Sequence, residues 1–157
     1  MVHEPKSKLT KLAWATQYCQ DRGLRKTQAR DALLTFLVES PVPVTWRTMS
    51  ESSELSEVCN RSTIYRLLIK FEQIGLVRRI TVREQSPFFT IAVPGEHNDY
   101  VVCTECATIQ SLHIACPGSR LEKQLQEQLG FSDMHHEFAF YGICKECQRQ
   151  DRKVTAA

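Results

Sequence analysis

What this sequence lacks excludes several classes of protein. No run approaches the 18 apolar residues of a membrane-spanning helix, and the first 20 residues have no apolar stretch like that of a secretory leader. Internal repeats and low-complexity tracts are also absent. We therefore expect a folded cytoplasmic protein with no membrane partner. Its 157 residues suffice for one domain or two small ones.

The chain also lacks a strong net charge. Lys and Arg number 20 and Asp and Glu number 18, so the formal net charge is +2. Taken alone, this value argues against a strongly cationic nucleic-acid binder. The charge is unevenly spread, however: residues 1–95 carry 14 basic and 9 acidic side chains, and residues 96–157 carry 6 and 9. A basic front half joined to an acidic back half is typical of a nucleic-acid-binding module fused to another domain.

No signature of an enzyme is present. The sequence has no nucleophile–base pair, no H-E-x-x-H zinc motif and no glycine-rich phosphate loop. The seven cysteines are the unusual feature, because an odd number cannot all form disulfides. In a cytoplasmic protein they are expected to bind metal instead. Five of them lie after the Val93-Pro94-Gly95-Glu96 turn signal, which is the candidate domain boundary.

The front half has the pattern of a winged helix-turn-helix domain. Apolar side chains recur at helical spacing in the early segments, Thr27 and either Asn60 or Ser62 can cap helices, and two alternating segments follow Gly75. The predicted helices are 9–19, 27–38, 45–52 and 61–74, and the predicted strands of the wing are 76–82 and 88–93. Helices followed by a basic hairpin predict a DNA-binding wing that lies along the phosphate backbone.

The fourth helix is the candidate recognition helix. Its apolar stripe, which begins at Ile64, leaves polar, cationic and aromatic side chains on the opposite face of the first turns. Such groups at a helix N-terminus can contact phosphates and base edges in the major groove. The alternative is an ordinary solvated face. The candidate DNA-contacting residues on this helix are Arg61, Ser62, Thr63, Tyr65 and Arg66.

Two C-x-x-C pairs, Cys103/Cys106 and Cys144/Cys147, stand 37 residues apart in the back half. Each pair can present two thiolates to one ion, and four thiolates complete the tetrahedron that structural zinc prefers. A redox motif needs only one pair, so two pairs favour a closed zinc site. Such a site stabilises a small domain and performs no chemistry.

Around the cysteines, the pattern predicts a small α+β unit with strands at 100–102, 108–112 and 137–141 and a helix at 119–129. Histidines and carboxylates near the ends of these elements suit a second site for zinc or another divalent metal. The alternative is that they are exposed polar residues on loop ends. The further potential ligands are His97, Asp99, His113, Cys116, Glu122, His135 and His136.

Several segments, in the right order over residues 9–148, resemble the ferric uptake regulator family. They include the sequence from Gly23 to Thr27, Ser62-Thr-Ile-Tyr-Arg66, and both C-x-x-C segments with their flanking residues. The resemblance implies a dimeric, metal-responsive repressor whose N-terminal winged helix binds a palindromic operator. It implies three parts: a DNA-binding domain at 1–93, a hinge at 94–97, and a zinc-containing α/β dimerisation domain at 98–157 with a disordered C-terminal tail.

The resemblance also assigns residues. Arg30 falls near the DNA backbone, and Tyr65 and Arg66 fall on the recognition helix. The four paired cysteines fall on the structural zinc site. A second site for zinc, iron or manganese comprises His97, Asp99 and His136, with Glu122 as the uncertain fourth ligand.

The chain departs from the family at the sensing site between the two domains. The positions that usually supply ligands hold Pro43 or Val44, Thr90 or Val93, Asn98, and Tyr100. Pro, Val and Thr are not plausible ligands, so this hinge site is predicted to be degenerate. The sequence therefore predicts a zinc-type, metal-dependent repressor acting as a homodimer. The alternative is a regulator of the same family that responds to redox state, through Cys59 or Cys116, or to a protein partner.

Overall fold

The computed structural model of the protein describes residues 8–82, 86–94, 96, 99–112, 118–132, 136 and 138–154. The chain divides between residues 96 and 97 into two compact units. No helix within the described ranges is long and apolar enough to cross a membrane.

The first unit contains five helices and a small sheet among its described residues. The elements are α1 (Lys8–Asp21), α2 (Gln28–Glu39), β1 (Val44–Thr45), α3 (Trp46–Ser50), α4 (Ser53–Ser56), α5 (Arg61–Gln73), β2 (Val77–Ile80) and β3 (Phe88–Ile91). The strands form an antiparallel sheet in the order β1-β3-β2. Helices followed by this hairpin confirm the predicted winged-helix fold.

Side chains that cap the helices set where each one begins. Thr27 accepts a hydrogen bond from the backbone N–H of Arg30 at 3.1 Å. Asn60 does the same for Thr63 at 2.9 Å, so the structure selects Asn60 over Ser62 as the cap of α5. Each cap satisfies a backbone donor that the helix itself leaves open and stabilises the helix by about 1 kcal/mol.

The core of the first unit lies between α2, α5 and the sheet. Leu33 and Leu34 from α2, Leu68 and Phe71 from α5, and Phe89 from β3 are all buried in it. The four helical side chains follow the predicted helical stripes, because a helix buries the residues that recur every three or four positions. Burial of this stripe turns the polar residues of α5 away from the core and towards solvent.

The segment after α2 differs from the sequence prediction of one helix over 45–52. Val44 and Thr45 form β1 and pair with Phe89 and Phe88. Thr45 then caps α3, and Ser52 caps the separate four-residue helix α4. A two-residue strand and a single helical turn are too short to leave a periodic signal, so the sequence pattern did not resolve them.

The second unit is an α+β unit, as predicted. Its elements are β4 (Tyr100–Cys103), β5 (Ile109–Ser111), α6 (Gly118–Leu129), β6 (Ala139–Gly142) and α7 (Lys145–Val154). The sheet order is β5-β4-β6, with β4 antiparallel to β5 and parallel to β6. A parallel pair requires a crossover, which α6 supplies. The sheet brings the chain after β4 beside the chain after β6.

Helix α7 corrects the predicted C-terminal tail. The family resemblance implies a disordered C-terminal tail, but the helix runs to Val154, and residues 155–157 lie outside the described ranges. The helix is almost wholly polar, so it has no apolar stripe that a sequence pattern could detect. Its first turn carries Cys147, which ties the helix to the cysteine cluster.

Candidate nucleic-acid interface and metal centre

The exposed face of α5 is the candidate nucleic-acid interface. Arg61, Ser62, Tyr65 and Arg66 are all exposed. Half of the Tyr65 side chain is accessible, although a large aromatic ring on a helix is more often packed. The structure therefore brings four of the predicted contact residues together at the N-terminal end of one helix. There the backbone N–H groups and positive side chains attract phosphate.

Thr63 is placed differently from its neighbours. It is half-buried, and its hydroxyl donates to Asn60 Oδ1 at 2.9 Å. The same Asn60 oxygen accepts from the Thr63 backbone N–H. Thr63 therefore takes part in the helix cap, and its hydroxyl proton is not available to a base edge.

Arg30 is not at the surface, which corrects its predicted contact with the DNA backbone. Its side chain is 1% exposed. The guanidinium donates to Leu24 O at 2.9 Å, and to Asp31 Oδ1 from Nε at 2.9 Å and from Nη2 at 2.7 Å. A buried guanidinium bound in this way fixes the turn between α1 and α2 and cannot reach a phosphate.

The arginines of the wing are only partly available. Arg79 lies 3.3 Å from Glu72 of α5 and 5.5 Å from the centre of the Phe89 ring, and Arg78 is half-buried. Arg83 lies outside the described residues. The ion pair at Arg79 offsets part of the positive charge that the sequence assigned to the wing.

The candidate metal centre lies where the ends of β4 and β6 meet. Cys103 ends β4, Cys106 follows in a tight turn, Cys144 precedes α7, and Cys147 lies in its first turn. The chain reverses direction at Ala107, which has φ +60°. Pairing of Cys103 with Gly142 in the parallel register brings the two C-x-x-C segments together.

The geometry of the four sulfurs fits a zinc ion. All four Sγ atoms lie within 4.8 Å of one another. Cys103 Sγ is 3.9 Å from Cys147 Sγ, and Cys106 Sγ is 3.8 Å from Cys144 Sγ. Zinc–sulfur bonds of about 2.3 Å in a tetrahedron separate neighbouring sulfurs by about 3.8 Å. The site therefore fits a structural zinc ion and leaves no coordination position open for catalysis.

The electrostatics of the cluster favour a cation. Backbone N–H groups of Cys106 and Cys144 point at Cys103 Sγ and lower the pKa of that thiol to about 6. A hydrogen bond with the Thr108 hydroxyl lowers the pKa of Cys106. The pKa of Cys147 is raised, chiefly by its contact with the Cys144 thiol. Neighbouring thiolates repel one another, and a divalent ion removes that repulsion because it binds the deprotonated form.

The residues of the predicted second site lie on three segments of the same unit. Asp99 is 5% exposed, and its Oδ1 accepts a hydrogen bond from the Phe138 N–H at 3.2 Å. Glu122 is on α6, and His136 precedes β6. His97, His113, Cys116 and His135 lie outside the described residues. Within the described ranges, only the four cysteines form a group of three or more potential ligands.

Glu122 and His136 are in close contact. Glu122 Oε1 lies 2.8 Å from His136 Nδ1, and both side chains are more than four-fifths buried. The contact does not have hydrogen-bond alignment, and Oε1 accepts no hydrogen bond from any other described residue. Two ligands with bonds of about 2.1 Å to one ion are separated by about 3.4 Å in a tetrahedron and by about 3 Å in an octahedron. The 2.8 Å ion pair is therefore shorter than tetrahedral zinc requires and closer to octahedral spacing. Carboxylate and imidazole are suitable ligands for a divalent metal.

The degenerate hinge positions carry mainly packing side chains. Pro43 is buried, Val93 belongs to the core of the first unit, and Val44 pairs with Phe89 in the sheet. Thr90 pairs with Arg78, and Tyr100 is buried at the start of β4. Asn98 lies outside the described residues.

Sequence reasoning missed one residue of the second unit that contacts a candidate ligand. Gly118 is buried at the start of α6 and packs against the His136 ring. No motif marks it, because a glycine before a helix normally indicates only a turn. Its role depends on a contact across the fold that sequence spacing does not report.

A winged helix with a polar recognition face, followed by an α+β unit with a four-cysteine centre, defines a DNA-binding regulator with a structural metal. Comparison with known proteins agrees. Residues 21–141 match the model of the ferric uptake regulator family. The ferric uptake regulation protein of Legionella pneumophila is 30% identical over 138 residues, which cover 85% of this chain and 98% of that protein.

A peroxide-responsive repressor, PerR, of Staphylococcus saprophyticus subsp. saprophyticus is 31% identical over 134 residues, 82% of this chain and 86% of that protein. The fold also matches the Helicobacter pylori ferric uptake regulator, with a TM-score of 0.67 and 19% identity over 91% of this chain and 95% of that one. This chain belongs to the ferric uptake regulator family. It is a DNA-binding transcriptional regulator of a homodimeric, metal-responsive family and not an enzyme.

Proposed function

We propose that this regulator represses transcription in the cytoplasm as a homodimer bound to a palindromic operator. We further propose that a second divalent metal, with zinc first, controls the affinity for that operator. The proposed ligands are Glu122 and His136, which are in contact, together with Asp99 and His97. Asp99 would have to approach the pair on metal binding, because it does not form a three-ligand group with them in this structure. The observation that carries this proposal is the buried 2.8 Å contact between Glu122 and His136, which lacks the alignment of a hydrogen bond. The ion would join β4, α6 and the segment before β6.

The exposed face of α5 supports the DNA-binding part. Tyr65 and Arg66 stand beside Arg61 and Ser62 on that face, and this combination suits both phosphates and base edges. A dimer with two-fold symmetry presents two such helices to two half-sites. The operator is therefore expected to be palindromic, with half-site centres separated by a whole number of helical turns.

Apolar side chains left exposed on the second unit support a dimer formed through this unit. Phe140, Tyr141 and Ile143 are each more than two-fifths exposed at and after β6, and Leu121, Leu129 and Phe131 are exposed on and after α6. Exposure of so much apolar surface to water is unfavourable for a domain this small. A second copy of the chain would bury it in an isologous interface.

Connectivity supports coupling between the metal and the DNA-binding domain. The proposed ligands His97 and Asp99 stand at and just after the proposed hinge, residues 94–97. Ligation there would restrain the backbone that joins the two domains. A metal that binds one arrangement of the domains more tightly shifts the population towards it and so changes operator affinity.

The redox alternative has less support. Burial raises the pKa of the Cys59 thiol, and its Sγ donates to Leu55 O at 3.3 Å. The thiolate is the form that reacts with oxidants, so a raised pKa makes Cys59 a poor sensor. Cys116, the second thiol of this alternative, lies outside the described residues.

The test is operator binding measured by fluorescence anisotropy on the zinc-containing dimer, with an operator selected from a random DNA library. Zinc, iron or manganese is added, and Glu122→Gln is compared with Glu127→Gln, a matched change at an exposed position of the same helix. We expect metal to raise the affinity of the wild type and of Glu127→Gln at least tenfold, and that of Glu122→Gln much less. If all three metals leave operator affinity unchanged while the four-cysteine zinc stays bound, the proposal is wrong.

A further inference from the structure

We infer that Gly118 positions His136 so that the imidazole binds the second metal through Nδ1. This inference rests on the proposed second site and concerns how that site is built. The evidence is the packing of the ring against the first turn of α6.

Gly118 is the first residue of α6 and is buried. A Cβ atom added there would lie 2.6 Å from His136 Cδ2 and 2.7 Å from Cε1, and closer still to Nε2. Carbon atoms in contact normally stay about 3.5 Å or more apart. The Nε2 edge of the ring therefore occupies the space that any side chain at position 118 would need.

The opposite edge of the ring faces Glu122. Residues 118 and 122 are four apart, so they lie on the same face of α6, one turn from each other. Nδ1 is 2.8 Å from Glu122 Oε1. The ring thus spans one helical turn, with Nε2 against the glycine and Nδ1 beside the carboxylate, and Nδ1 is the nitrogen placed to share an ion with Glu122.

Phe138 fixes the plane of the ring and links it to Asp99. The centres of the His136 and Phe138 rings are 5.1 Å apart. The backbone N–H of Phe138 holds Asp99 Oδ1 at 3.2 Å. One residue therefore restrains both the imidazole and the buried carboxylate, which leaves Gly118 as the contact that determines which nitrogen faces Glu122.

A side chain at position 118 would push the ring away from the helix and separate Nδ1 from Glu122. The matched control is Gly142→Ala, because a Cβ added at Gly142 meets no atom within 4 Å. Both variants are first required to retain one equivalent of zinc, which reports an intact four-cysteine site. We expect Gly118→Ala to weaken metal binding at the second site at least tenfold in chelator competition, and Gly142→Ala to leave it unchanged.

A second measurement needs no change at position 118. Wild-type protein with ¹⁵N-labelled histidine is loaded with ¹¹³Cd, and the His136 signals are assigned by their loss in His136→Gln. Cadmium held by the four cysteines gives no coupling to nitrogen, so a ¹¹³Cd–¹⁵N coupling reports only the histidine site. We expect the coupling at Nδ1 of His136.

A ¹¹³Cd–¹⁵N coupling at Nε2 of His136 would contradict the role proposed for Gly118. So would a second-site metal affinity in Gly118→Ala equal to that of the wild type. If the wild type binds no second metal, both this inference and the proposed metal control fail. If the metal binds through Nδ1 and depends on Gly118, but operator affinity does not respond, the inference stands and the proposed control alone is wrong.

Discussion

The two units of this protein are stabilised in different ways. Among the described residues, nineteen buried apolar side chains lie in the first unit and three in the second, namely Tyr100, Val102 and Cys103. The first unit closes a continuous core between α2, α5 and its sheet. The second unit instead leaves large apolar side chains such as Phe131 and Tyr141 exposed.

This difference shows what each unit depends on. We expect the first unit to fold on its own core, because burial of apolar area is its main source of stability. The described residues of the second unit bury little apolar area, so we expect this unit to need the zinc at its cysteines and a partner subunit on its exposed face.

Loss of a zinc ligand should have the largest effect. Cys144→Ser is expected to unfold the second unit and dissociate the dimer, because zinc binding by such sites contributes roughly 10–16 kcal/mol of apparent free energy that is also folding free energy. The first unit should keep its own cooperative unfolding transition. Two-dimensional NMR and thermal unfolding followed by circular dichroism measure the two units separately.

The control for this prediction is Cys59→Ser, which removes a thiol outside the zinc site. It should leave one equivalent of zinc bound and the second unit folded. A stable dimer of Cys144→Ser would contradict the claim that zinc replaces a core in the second unit.

Loss of an aromatic ring should affect the two units in different ways. Phe71 is fully buried in the first unit, whereas Phe140 is about half-exposed in the second. Phe71→Ala should lower the free energy of unfolding of the first unit by about 3–5 kcal/mol, because it removes buried contacts and leaves a cavity. Phe140→Ala should instead raise the dissociation constant of the dimer. Urea unfolding and analytical ultracentrifugation measure these effects.

If the two substitutions had the same effect, the two units would not differ in their source of stability. An equal loss of stability at fixed dimer concentration would mean that Phe140 is part of an internal core. Unchanged dimerisation in Phe140→Ala would place the dimer interface elsewhere on the chain.

The smallest of the three effects is expected at the DNA interface. Arg66→Ala should weaken operator binding by about 1–3 kcal/mol and reduce the salt dependence by roughly one phosphate contact if it binds the backbone. Gln73→Ala, an exposed change at the far end of α5, is the control and should leave affinity unchanged. Anisotropy at several salt concentrations provides the measurement. Affinity that does not fall with salt would contradict the proposed interface.

Much of the fold was predictable because its signals are local. The stripe of α5 and the cap at Thr27 are read from neighbouring residues, and the structure confirms both. The strand β1 and the helices α4 and α7 were missed, since two are very short and the third is polar throughout. The four cysteines could be grouped from their spacing because zinc requires four ligands in a fixed geometry.

Side-chain burial was harder to predict than secondary structure. The family resemblance places Arg30 near the DNA backbone, yet its side chain is buried against Leu24 and Asp31. From the sequence alone, a buried arginine in the basic half cannot be distinguished from an exposed arginine that contacts DNA. Only the tertiary structure shows that this guanidinium is enclosed and bound to Leu24 O in the turn before α2.

The sequence by itself determined the order of the longer helices and strands, the uneven charge and the four-cysteine zinc motif. These properties depend on residue type and on spacing along the chain. The tertiary structure alone decided that Arg30 is buried, that Thr63 serves the helix cap, and that His136 lies between Gly118 and Glu122. The physical reason is that such roles depend on distances across the fold, which local periodicity does not encode.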